Sequence, residues 1–161
     1  MRLLFLGLAA AVMMLAEPSP ARAQAVTVDP TAVIVCPAVA GSVAPPDFAA
    51  PACETLSAQA IDPQGRMIWV KARLPVPQAL LELPVPLGIF VLAKASSEIY
   101  LNGERIGRNG LPAATRKEEA VGLMDAVVYA PRELLRAGDN ELVLRMSSHH
   151  GFLKLAAPSM R

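Results

Sequence analysis

The chain has 161 residues, 15 Lys/Arg against 14 Asp/Glu and a formal charge of +1; that leaves room for one modest domain with appendages and excludes a globally basic nucleic-acid binder. Hydrophobic residues make up 53% of it, yet after the first stretch no run approaches the roughly 18 consecutive apolar residues of a membrane span. Aromatic residues account for only 4% while 15 residues are Pro, a composition suited to short strands separated by rigid loops.

Met1-Arg2 is a minimal positive start, and Leu3 to Leu15 is an unbroken apolar run. Pro18 and Pro20 end any helix there, and Ala21-Arg22-Ala23 puts small residues where a signal peptidase reads them. At its helical rise the run covers roughly 20 Å, short of a ~30 Å hydrocarbon core, so a cleaved export signal over residues 1–23 is expected rather than an uncleaved anchor. Cleavage takes away Arg2, Glu17 and Arg22 and leaves 138 residues with 13 basic and 13 acidic side chains. That neutral mature chain offers no electrostatic grip on nucleic acid or an anionic membrane surface. The periplasm is the expected location, with secretion as the alternative, and no stable membrane span is expected after cleavage.

Export decides how Cys36 and Cys53 read. An isolated pair without a Cys-x-x-Cys motif in an oxidising compartment is expected to form a disulfide, two free thiols being the alternative. Closing that loop is worth about 3 kcal/mol on the chain-entropy model. With no His or third Cys nearby, a metal site is not expected, nor is a cofactor.

From Gln24 to about Pro63 the repeated Pro30, Pro37, Pro45, Pro46 and Pro51 predict a loop-like arm, with Val33-Ile34-Val35 as a short edge strand. Residues 64–161 then read as a strand-rich domain. Arg66 to Leu74 alternates, with Ile68, Val70, Ala72 and Leu74 on one face and Trp69, Lys71 and Arg73 on the other. Leu87 to Ala93 is continuously apolar, as expected of a strand covered on both faces. Ser97 to Leu101 alternates again and runs into Asn102-Gly103, a strong hairpin signal, with Glu104 to Gly107 returning. Arg108 to Ala120 reads as a polar loop with Arg116 to Glu119 at its exposed tip. Ala126 to Tyr129 predicts a strand, Pro131 to Leu135 a helical turn closed by Gly138, Glu141 to Met146 another strand and Phe152 to Ala156 a last one. Short strands at this spacing predict an all-β sandwich.

Two segments then resemble a known family: Glu98-Ile-Tyr-Leu-Asn-Gly-Glu-Arg-Ile-Gly-Arg-Asn-Gly110 and Pro131-Arg-Glu-Leu-Leu-Arg-Ala-Gly-Asp-Asn-Glu-Leu-Val-Leu144. In order, after a Trp-bearing strand and the Pro-Leu-Gly before Ile89, they resemble galactose-binding-like jelly-roll domains. The sugar-binding domain of family 2 glycoside hydrolases is one such domain. The periplasmic N-terminal sensor domains of bacterial membrane receptors, of the histidine kinase or diguanylate cyclase type, are similar more closely. The resemblance covers roughly Arg66 to His150 and implies a galactose-binding-like jelly-roll β-sandwich carrying a Pro-rich N-terminal arm. A receptor would continue past Arg161 into a membrane span, so a free-standing domain and the extracytoplasmic piece of a larger protein both remain open.

Catalysis finds little support. Ser147 and Ser148 beside His149 and His150 do not make a relay by adjacency, and Glu118 and Glu119 read as a solvated loop tip. Binding is the better-supported class. Trp69, flanked by Lys71 and Arg73, is a candidate stacking platform, the alternative being that it packs beneath the Pro-rich arm against Arg73. Tyr100 lies beside the Asn-Gly turn, where Asn102 itself is read as turn geometry. His149 and His150 sit at a strand end where sandwiches bind ligands, and Arg105, Arg108 and Arg116 cluster nearby for an acidic group. The candidate ligand-binding residues are therefore Trp69, Tyr100, Arg108, His149 and His150. The expected role is a non-catalytic, ligand- or partner-binding sensory module. It would take a small molecule or carbohydrate and relay through a homodimer or a membrane-embedded signalling partner. A stand-alone carbohydrate-binding envelope protein and a structural interaction module are the alternatives.

Overall fold

A computed structural model describes residues 32–39, 41–92 and 95–151 of the chain. The export signal expected over 1–23, the first part of the arm and the strand expected over Phe152–Ala156 lie outside these residues. Eight strands follow in order: β1 Val33–Pro37, β2 Glu54–Leu56, β3 Met67–Val76, β4 Gly88–Leu92, β5 Ser96–Leu101, β6 Glu104–Asn109, β7 Asp125–Tyr129 and β8 Gly138–Ser147. Among the described residues, helix is confined to one turn at Gln78–Leu81 and two 3-10 turns at Ala58–Ala60 and Arg132–Leu134. The protein is thus mostly β, and its sheets are antiparallel.

Period-two alternation builds the larger sheet, whose order is β2-β1-β3-β8-β5-β6. Its central pair, β3 and β8, is in register from Met67 opposite Ser147 to Val76 opposite Gly138. One face carries Val33, Val35, Ile68, Val70, Ala72, Leu74, Ile99, Leu101, Leu142, Leu144 and Met146, all buried in a single cluster. Removing this much aliphatic surface from water is the main stabilising term available to a domain so poor in aromatics. Against that face lies a two-stranded ribbon of β4 and β7, which contributes Val91 and packs Ile89 and Val128 onto the same cluster. Gly107 of β6 makes the seat: a Cβ built there would stand 2.4 Å from a Val128 methyl carbon. Two stacked antiparallel sheets around one core are consistent with a β-sandwich.

Three expectations change. The arm supplies β1 and β2, and β1 lies inside the sheet between β2 and β3, so the sheet runs across the boundary drawn at residue 63. Pro37 and Pro75 end or near-end their strands, where a missing N–H is tolerated. The apolar run ending in β4 is covered on one face only, since Phe90 points away from the core and is 38% exposed.

The two motif segments meet physically. Asn102 adopts φ 49° at the hairpin tip; its Nδ2 donates to Leu134 O at 2.6 Å and to Asn140 Oδ1 at 2.8 Å. Its Oδ1 accepts the Glu141 N–H at 2.8 Å. Asn140, 2% exposed, in turn donates to Arg136 O at 2.7 Å. These two amides tie the β5–β6 turn to the entry of β8.

Candidate functional site

The five candidate residues divide between two places. Trp69, Tyr100 and Arg108 lie on the outer face of the large sheet, whereas His149 and His150 follow β8 at the loop end.

On the outer face, residues paired across strands share a side. One such row runs Cys36, Trp69, Arg145, Glu98, Arg108 across β1, β3, β8, β5 and β6. The next contains Lys71, Val143, Tyr100 and Arg105. The segment between β1 and β2 folds over this face, held by the Cys36–Cys53 disulfide with its Cα atoms 4.2 Å apart. Phe48 and Cys53 from that segment pack on Trp69, Cys36 and Val143. Trp69 is consequently 1% exposed, packed beneath the arm, as one of the two sequence readings had it, rather than open as a stacking platform. The cation beside it is Arg145, 5.9 Å from the ring centroid, not Arg73, which pairs with Asp139 at 3.5 Å in open solvent.

Tyr100 sits 5.7 Å from Trp69 between ring centroids and donates to Glu98 Oε2 at 3.3 Å. Glu98 also receives Arg145 at 3.2 Å and Arg105 at 3.4 Å. Burial, then the charge of Glu98 and the hydrogen bond to it, push the Tyr100 hydroxyl above its ordinary value of 10.0 against the opposing pull of Arg105 and Arg145. Arg108 is exposed at the end of the row. The Glu98 carboxylate is thus enclosed by two guanidiniums and a phenol, while the buried Arg145 Nε has no hydrogen-bond partner among the described residues.

The loop end is organised by a residue the sequence placed in solvent. Glu119 is 8% exposed: one carboxylate oxygen accepts from Ser147 Oγ and the other from the His149 N–H at 2.8 Å. Ser147 Oγ also accepts the Ala113 N–H at 3.0 Å. The solvated-tip reading fails because the chain turns at residues 115–119, leaving Glu118 outside on Thr115 Oγ1 at 2.8 Å while Glu119 points inward. A carboxylate alternating with a solvated neighbour gives no pattern to read, so only contact with Ser147 from a distant strand identifies it. His149 Nε2 lies 2.9 Å from Ala113 O and His150 Nε2 3.0 Å from Arg116 O. Because a carbonyl only accepts, each ring donates there, and the two imidazoles brace the 111–120 loop instead of converging on each other.

Beside them the segment Val121-Gly-Leu-Met124 is held out into solvent. Asn109, 5% exposed, donates from Nδ2 to Leu123 O at 2.7 Å and accepts the Leu123 N–H on Oδ1 at 2.7 Å. Leu111 and Ala120 exchange backbone hydrogen bonds at 2.8 and 3.1 Å, closing the loop at its base. Gly110, at φ 72°, lies so close that a Cβ would come within 2.3 Å of Ala120 O. This firmly held loop nevertheless exposes Val121 at 67%, Leu123 at 73% and Met124 at 55%. It leads directly into β7, whose outward Val127 and Tyr129 are exposed alongside Phe90 of β4. A pocket of about 220 Å³ opens between the loop, Ala95, Ser96, His150 and Gly151.

No protein-family model matches the chain, and no curated protein matches it significantly.

Proposed function

We propose that this is an exported, non-catalytic recognition domain of the galactose-binding-like jelly-roll kind. In this reading it is the sensory module of a bacterial signalling system and engages a protein partner through the 121–124 loop and the outer face of the β4–β7 ribbon. The carrying observation is the pairing of exposure with rigidity: a buried Asn109 spends both ends of its amide on Leu123 to present Val121, Leu123 and Met124 outward. Contiguous exposed apolar surface on a pinned loop is the signature of an interaction site rather than of a core. The disulfide, and the fact that no helix of the described residues is long and apolar enough to cross a membrane, are compatible with export.

Two further observations support the non-catalytic, partner-binding reading over its rivals. Ser147 Oγ is engaged by Glu119 and Ala113, and the His149 ring by a main-chain carbonyl, so neither faces the other as nucleophile and base. The sugar-binding alternative draws on Trp69, whose ring is covered.

The test is a photo-crosslinking side chain placed at Leu123 in cells that export the protein, with Glu104 as the control position. One discrete adduct from Leu123, absent from Glu104 and lost when Val127→Asp charges the adjoining ribbon, is the expected result. No adduct, or the same adduct from both positions, would overturn the reading.

A further inference from the structure

The pocket of about 220 Å³ beside the loop is lined by apolar and polar side chains together. Ala95, Val121, Leu123 and Met124 are the apolar ones, and the last three are more than half exposed. Ser96, Glu119, Ser148 and His150 bring polar groups, and none of the described residues that line it is Lys or Arg.

Glu119 is the chemically distinctive member of this wall. It is 8% exposed, and the hydrogen bonds it accepts, from Ser147 Oγ and the His149 N–H, come from neutral groups. The ion pairs among the described residues involve Lys71, Arg73, Arg105 and Arg145 and lie on the large sheet, none of them on Glu119. Buried carboxylates are ordinarily paired with a cation, and a carboxylate has about four acceptor sites, more than these two donors use. Two neighbours in the wall also have acceptor capacity. Ser96 Oγ donates to Ala120 O at 2.8 Å and keeps its lone pairs. His150 Nε2 donates to Arg116 O at 3.0 Å, so in the neutral ring Nδ1 accepts. An ammonium, with its three N–H donors and no acceptor, is the group these residues complement. A cavity of roughly 150 Å³ takes up benzene, so a single ring with a short amino arm suits the size.

We propose that this pocket binds a small organic cation, a primary amine on one aromatic ring or a short branched chain, with its ammonium on Glu119 and its carbon skeleton against Leu123 and Met124. An anion would meet the buried carboxylate with no Lys or Arg to offset it, and a neutral hydrocarbon would leave that charge unpaired. The site goes beyond the partner surface and does not require it, although the two share the 121–124 loop.

Phenethylamine is the probe, added to protein purified from cells that express the whole chain, with methyl NMR of Leu123 and Met124 as the readout. Saturable shifts are expected, at an affinity about tenfold or more above that of phenethyl alcohol, which keeps the ring and lacks the charge. Methylamine, which lacks the ring, should bind about tenfold or more weakly as well, and phenylacetate should not bind. Glu119→Gln should bring amine and alcohol to within about twofold of each other, whereas Leu123→Ala should weaken both and leave their ratio unchanged. Equal affinity of the wild type for amine and alcohol, tighter binding of phenylacetate, or no saturable shift at Leu123 and Met124 overturns the assignment. A folded Glu119→Gln protein that keeps the amine preference overturns it too, and if that variant does not fold, the wild-type ratio of amine to alcohol decides. A Leu123 crosslink that persists through such a failure keeps the partner surface, and saturable amine binding without any crosslink keeps the ligand site alone.

Discussion

Cutting the Cys36–Cys53 bridge should loosen the outer face before it dissolves the sheet. The chain holds a single Trp, and that Trp69 is 1% exposed beneath the segment the disulfide anchors, so the protein carries its own reporter of the event. The bridge closes a loop with a sequence separation of 17, worth about 3 kcal/mol on the chain-entropy model. With a urea slope of about 1.5–2 kcal/mol/M, the midpoint should fall by roughly 1.5–2 M. Cys36→Ala with Cys53→Ala is the cleaner perturbation, because Ser would leave a hydroxyl at the fully buried position 36.

Urea titrations followed by Trp emission and by far-UV circular dichroism distinguish the two stages. The aliphatic face of β1, β3, β8 and β5 does not depend on residues 38–53, so emission should shift to the red at lower urea than the loss of strand signal. In the disulfide-bonded protein the two transitions should coincide. A double-Ala variant whose stability falls by less than about 0.5 kcal/mol, with emission unshifted, would refute the idea that the covalent link rather than the packing of Phe48 holds the cover in place.

The remaining expectations concern the loop end, the ribbon and the outer network. Glu119→Ala should cost about 2–4 kcal/mol in urea melts, since it removes a buried charged acceptor from Ser147 Oγ and the His149 N–H; a loss below about 0.5 kcal/mol would return Glu119 to the surface. Gly107→Ala should cost about 1–3 kcal/mol because its Cβ would fall 2.4 Å from Val128, whereas Gly103→Ala at the open hairpin tip, φ 91°, should show strain without overlap; equal effects on Val128 methyl shifts would refute the seat. Tyr100 is raised above 10.0 in the folded state, chiefly by burial and then by Glu98, so the unfolded chain releases that proton first. The stability it confers is complete below about pH 10 and is lost as pH rises through the higher folded value; parallel pH profiles for the wild type and Tyr100→Phe between pH 8 and 11.5 would contradict this.

The elements legible in the sequence were those with a local cause. Alternation located β3, β5 and β8 because a half-buried strand repeats every two residues regardless of its neighbours. The Asn102-Gly103 signal placed the hairpin because both positions need positive φ, observed at 49° and 91°. What alternation left open was which strands pair. Val33–Val35 looked like an edge because prolines surround it, yet β2 lies outside it, and β2, three residues with two exposed, carries no pattern of its own. Likewise the run around Ile89 to Val91 looked doubly covered because both faces are apolar, and hydrophobicity alone does not say whether a partner layer exists on each side.

The same distinction governs the site. Trp69 and Tyr100 were each singled out, but that they meet 5.7 Å apart on one face depends on strand pairing, and their accessibility on a segment folding back from residues 38–53, long-range events with no local signature. Glu119 and Asn109 were missed for the converse reason: each acts through partners 28 and 14 residues away, and nothing beside them in the chain marks them as buried. Arg132 is a third case, its guanidinium capping the carbonyls of Leu81, Leu83 and Val85 and so fixing the approach to β4. In each instance a long or branched polar side chain satisfies main-chain groups of a loop that cannot pair in a sheet, which buried backbone requires somewhere. The loops fixed by Asn109 and Arg132 flank the ribbon, and the first of them holds Val121, Leu123 and Met124, each more than half exposed, in a defined shape. Rigid presentation of apolar side chains has no stabilising return for an isolated domain, and that asymmetry supports the proposed contact surface.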